Sequence, residues 1–194
     1  NGAVRPGDNL FTNAIVAIDA RTGAYRWHYQ QVHHDIWDFD SANPVILFDL
    51  ELDGEIRKAI VQVSKTGWAY ILDRITGEPL IGIEERPVMQ EARQYTSPTQ
   101  PFPRGDAIAP QTINIPPEGY ELVNQGHIFT PFWKEEIVAR RVGANWPPSA
   151  YDPATQTLYV CARRNMMYFS VEAELEEPET GARYFGGNFG RLPF

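Results

Sequence analysis

One pattern recurs three times in the 194 residues and limits what the chain can fold into. Ala17-Ile18-Asp19-Ala20-Arg21-Thr22-Gly23, Ile71-Leu72-Asp73-Arg74-Ile75-Thr76-Gly77 and Ala150-Tyr151-Asp152-Pro153-Ala154-Thr155 share one logic. A short apolar run ends on Asp, two residues pass, and Thr, with Gly in two copies, leads into the next run. Each copy reads as strand, tight turn, strand. Helical periodicity is nearly absent, and short apolar runs between turn signals dominate. Strands are expected at 13–19, 24–30, 44–50, 56–64, 68–73, 126–132, 136–141, 157–162 and 166–171. Short, regularly spaced strands predict an all-β sandwich, barrel or propeller, and turns repeated with aromatics at fixed offsets favour the propeller.

Glu84 to Glu118 breaks the rhythm with seven Pro, and reads as an irregular excursion or a linker between two domains. An ordered insertion is preferred. Hydrophobic residues make up 43% of the chain, enough for a real core, and five Trp and nine Tyr suit β-rich packing. A net charge of -8, with no basic run, argues against nucleic acid as a partner. No apolar run approaches the ~20 residues that span a bilayer. Cys161 is alone, so it makes no internal disulfide, and its apolar neighbours predict a buried strand residue.

The chemistry concentrates in His33-His34-Asp35-Ile36-Trp37-Asp38-Phe39-Asp40. In an extended segment residues two apart share a face, so Asp38 and Asp40 point together. Carboxylates held close raise one another's pKa or bind a hard cation; a solvated acidic turn is the plain alternative. His33 and His34 have no partner at metal-ligand spacing and read as structural, with Trp37 packed under the loop.

Taken together, these segments resemble the pyrroloquinoline quinone (PQQ) dehydrogenases, the quinoprotein alcohol- and sugar-oxidising enzymes. The resemblance runs from Arg5-Pro6-Gly7-Asp8-Asn9 to the strand at Tyr159. His34-Asp35-Ile36-Trp37-Asp38 is its specific motif. It implies an eight-bladed β-propeller in which the turn ending at Trp27 is a tryptophan-docking repeat tying neighbouring blades. It implies Asp38 as general base, taking a substrate hydroxyl proton while hydride passes to PQQ. Asp38 and Asp40 would face a metal ion. Lys65 in Ser64-Lys65-Thr66-Gly67-Trp68 fits a cationic residue at the quinone oxygens, and Asn145 fits a hydrogen-bonding Asn there. Trp146 would wall the site or simply pack. Without the resemblance, Lys65 is a solvated hairpin lysine and Asn145 a turn residue.

Asp40 is a mark of lanthanide-dependent alcohol dehydrogenases, but the glucose-oxidising type carries it too. His33-His34-Asp35 and Thr96-Ser97-Pro98-Thr99-Gln100-Pro101-Phe102 resemble the membrane glucose and polyol branch more. Ca²⁺ or Mg²⁺ is therefore expected, with a lanthanide as the second reading. The implied substrate is an alcohol, polyol or aldose, the acceptor a quinone or cytochrome, and the location periplasmic, with an inner-membrane anchor left open. The family's remaining metal ligands and its stacking Trp come from segments before Asn1. At ~40–50 residues per blade, residues 1–194 hold about three to four blades of a longer propeller, expected to be inactive alone. A non-catalytic scaffold of the same lineage would share the turns but has no need of the acid-rich motif or Lys65. A sugar-binding β-sandwich using exposed Trp and Tyr is the third reading.

Overall fold

The computed structural model describes residues 2–171 and 187–192. Among these residues twelve strands form five antiparallel sheets, and there is no α-helix. Strands β1 (Ala14–Ile18) and β2 (Tyr25–Gln30) make a hairpin around the first Asp/Thr/Gly turn. Strands β3 (Ile46–Leu52), β4 (Glu55–Val63) and β5 (Ala69–Asp73) form a meander. Asp53 and Gly54 join β3 to β4 with φ of 53° and 81°, the paired left-handed conformation that suits a two-residue hairpin. Strands β6 (Ile83–Pro87) and β7 (Thr99–Pro103) make a ribbon. Strand β8 (Ile137–Ala144) follows, then the hairpin β9 (Ala150–Asp152) and β10 (Thr157–Tyr159), then β11 (Ala162–Val171) and β12 (Gly187–Arg191). The last sheet has the order β12-β11-β8.

The turns also join sheets. Trp27 is buried, and its indole lies flat against Gly77 of the second turn; a Cβ on Gly77 would sit 2.7 Å from the ring. Trp27 Nε1 donates to the Arg74 carbonyl at 3.3 Å. With Ile15, Ile60 and Leu72, this indole ties the β1–β2 hairpin to the β4–β5 pair.

The Pro-rich stretch is more regular than its composition suggests. The flanking bonds Val88 N to Pro98 O (3.1 Å) and Arg104 N to Gly82 O (2.8 Å) set the ladder's phase. That phase puts Pro87, Pro101 and Pro103 at positions whose N–H would point away from the partner strand. The missing donors therefore cost the ribbon nothing.

Two further expectations fail. Residues 126–132 form no strand: Ile128 and Phe129 are fully buried but make a single irregular pass, held by isolated bonds such as Ile128 N to Gln111 O at 3.0 Å and Thr130 N to His127 O at 2.9 Å. Apolarity there reports burial without strand pairing. Cys161 is exposed, at the break between β10 and β11, and is not a core residue.

Candidate active site

The acid-rich segment is a loop whose alternation is complete. Trp37 and Phe39 point down, buried and stacked at 5.7 Å between ring centres, with Phe129 edge-on to both. Trp37 Nε1 donates to the Thr130 carbonyl at 2.7 Å. Asp38 and Asp40 point the other way, half-exposed. Asp38 adopts φ of 62°, a conformation non-glycine residues seldom take and one that clusters at functional sites.

His33 and His34 are both held by hydrogen bonds within the fold. His34 is buried, with Nδ1 2.6 Å from the Gly7 carbonyl. His33 bridges Gln30 (2.9 Å) and Glu85 (3.0 Å), pinning the loop to the β6–β7 ribbon.

Lys65 comes from the turn after β4 and is only 7% exposed. Its ammonium donates to Asp38 Oδ2 at 3.1 Å and to Asp40 Oδ1. The turn bearing it packs directly on β8: Ala144 N donates to the Ser64 carbonyl at 3.1 Å. Only glycine permits that approach, since a Cβ on Gly143 would lie 2.2 Å from the Ser64 oxygen. This contact brings Lys65 beside Asn145, far away in sequence. Both line one cavity of about 300 Å³ with Arg141, Arg163, Asn165 and Arg191. Trp146 is 73% exposed and stands outside that lining.

Arg141 was not singled out from sequence. Its guanidinium donates to the Asp38 carboxylate and, at 3.1 Å, to the Asp38 carbonyl. A signal existed: in a strand, residues 141, 143 and 145 share a face, so Arg141 accompanies Asn145.

Burial works against ionisation at Asp38, but its bond with Asp40 and the charges of Arg141 and Lys65 outweigh it, so its carboxyl titrates below the usual range. Burial, then the same bond to Asp38, pushes Asp40 up. The two acids thus differ, Asp38 giving up its proton more readily than Asp40.

The cavity fits an anionic, oxygen-rich planar group. Its lining carries four cations, Lys65, Arg141, Arg163 and Arg191. A metal shell is another matter. Among the described residues no group of three or more His, Cys, Asp or Glu side chains is placed to hold a metal. Asp38 and Asp40 offer two carboxylates, both already bonded to Lys65.

The sequence pattern of the PQQ glucose/ethanol/alcohol dehydrogenase β-propeller domain matches residues 1–186. The quinohemoprotein alcohol dehydrogenase ADH-IIG of Pseudomonas putida is 32% identical over 191 residues, 96% of this chain and 24% of that protein. The quinoprotein glucose dehydrogenase of Escherichia coli is 39% identical over 99 residues, 50% of this chain and 12% of that one. The solved structure of a europium-containing methanol dehydrogenase superposes with a TM-score of 0.57 at 26% identity, covering 94% of this chain and 28% of that chain. The matches thus cover from 12% to 28% of the length of these relatives.

Proposed function

We propose that this chain, which belongs to the PQQ glucose/ethanol/alcohol dehydrogenase β-propeller family, carries the proton-accepting side of a quinoprotein oxidoreductase site. The observation behind the reading is the Asp38 carboxylate, ionised at neutral pH and fixed by Lys65 and Arg141 beside a cation-lined cavity. PQQ, when bound, supplies the two-electron acceptor, with Ca²⁺, Mg²⁺ or a lanthanide as its electrophilic partner.

The protein's own part is positional. Asp38 accepts the hydroxyl proton of an alcohol, polyol or aldose, and stands ionised to do so at neutral pH. The Lys65 ammonium and the Asn145 amide orient and polarise quinone oxygens. Arg163 and Arg191 offset carboxylate charge in the same cavity. Trp146, exposed next to Asn145, is available to cover the ring plane. Asp38 and Asp40 present two carboxylates to the cation, and the rest of its shell comes from other segments of a longer, eight-bladed chain. Electrons leave to a quinone or cytochrome, in a periplasmic setting. The membrane glucose and polyol branch remains our favoured placement, on the residues at 33–35 and 96–102.

The test is dye reduction by the full-length protein, loaded with PQQ and Ca²⁺ and offered ethanol, glycerol and glucose. Turnover is expected with at least one of them and none from residues 1–194 alone. No turnover by the loaded full-length protein with any of the three would overturn the reading. Turnover by the isolated chain at the full-length rate would refute the incomplete metal shell.

A further inference from the structure

We infer that Asp35 is a positioning residue that holds the Asp38 backbone in its reactive conformation. Its carboxylate accepts three hydrogen bonds: Trp37 N at 2.8 Å on Oδ1, and Phe39 N at 2.7 Å with Asn13 Nδ2 at 2.9 Å on Oδ2. The two amides flank Asp38. A residue at φ of 62° between two clasped amides cannot rotate without breaking one of them.

The clasp is itself anchored. Arg5 donates to the Asp35 carbonyl and to Asn9 Oδ1, so the strap at residues 5–9 holds the loop from outside. Asn13 sits at the start of the hairpin that Trp27 docks on Gly77. The joint between sheets is thus connected to the backbone around Asp38 by strand β1, the Asn13 bond to Asp35 and the Asp35 bonds to Trp37 N and Phe39 N. Lys65 and Arg141 can meet the carboxylate only if that backbone stays put, which is why the clasp matters to chemistry as well as folding.

The inference rests on the reading of Asp38 as the base, and two readouts separate them. In the full-length protein loaded with PQQ and Ca²⁺, Asp35→Asn keeps one good acceptor oxygen where two amides need one each. We expect kcat to fall about 10²-fold, the effect of small misplacement, with KM and PQQ affinity within about twofold of wild type. In the metal-free, PQQ-free protein, amide exchange at Trp37 and Phe39 should speed up at least about tenfold while amides of β4 and β5 stay protected. Asn13→Ala frees the Asp35 oxygen that also holds Phe39 N, so exchange at Phe39 should speed up at least about threefold and kcat should fall about three- to tenfold. Retained kcat together with protected amides in Asp35→Asn overturns the inference. If that variant fails to fold, an Asn13→Ala protein with wild-type kcat and exchange overturns it. Protected amides refute the clasp whatever Asp38→Asn does, whereas an active Asp38→Asn refutes the base and leaves the clasp to the exchange data.

Discussion

Asp19 and Asp35 both accept backbone N–H groups from residues just ahead of them, in very different surroundings. Asp19 closes an exposed turn, taking Arg21 N at 3.0 Å and Thr22 N at 3.1 Å, and Asp73 repeats this with Ile75 N at 2.8 Å and Thr76 N at 3.2 Å. At Asp19 the bond from Arg26, followed by these amides, holds the carboxyl below its ordinary range. At Asp35 burial dominates and pushes the carboxyl up, against the pull of Asn13 and the amides of Trp37 and Phe39. The same local device therefore serves two ends. In the turns it is self-sufficient and favours the charge. In the loop the charge is expensive, and distant elements must hold it in place.

The turns themselves differ in what covers them. Gly77 (φ 81°) lies under the Trp27 indole, whereas Gly23 (φ 72°) has nothing within 4 Å of a Cβ. Three substitutions in the full-length protein, followed by urea unfolding, sharpen this contrast. Trp27→Ala removes the indole and should destabilise by about 3–5 kcal/mol. Gly77→Ala adds both left-handed strain and a clash with that ring, for about 2–3 kcal/mol. Gly23→Ala adds the strain alone, about 1 kcal/mol. Equal losses at the two glycines would mean that the docked indole plays no part in the joint.

Much of this was legible in the chain. The Asp-x-x-Thr-Gly turns gave β1–β2 and the end of β5, because Asx bonding and positive φ are local properties. The third copy shows how far the pattern bends: Gln156 takes φ of 52° where the others have Gly, so the turn survives without its best residue. The placing of Asp38 with Asp40 on one face and Trp37 under the loop follows from strand geometry and holds in this loop, where Phe39 joins Trp37 in the core. The approach of Lys65 to Asn145 was expected from the resemblance, since no local signal reports a contact so distant in sequence. Three features escaped. Strands β6 and β7 hid behind proline, because composition does not say which N–H groups a ribbon leaves free. Residues 126–132 looked like a strand, because an apolar run marks burial and not pairing. Arg141 escaped because neighbouring arginines read as solvated until a partner acid is brought to them by the fold.

The central claim is that Asp38 is the proton acceptor. Asp38→Asn in the full-length protein keeps the shape of the side chain and removes its basicity. With PQQ and Ca²⁺ bound to wild-type levels, kcat should fall by about 10²-fold or more. Wild-type turnover by that loaded variant would contradict the account.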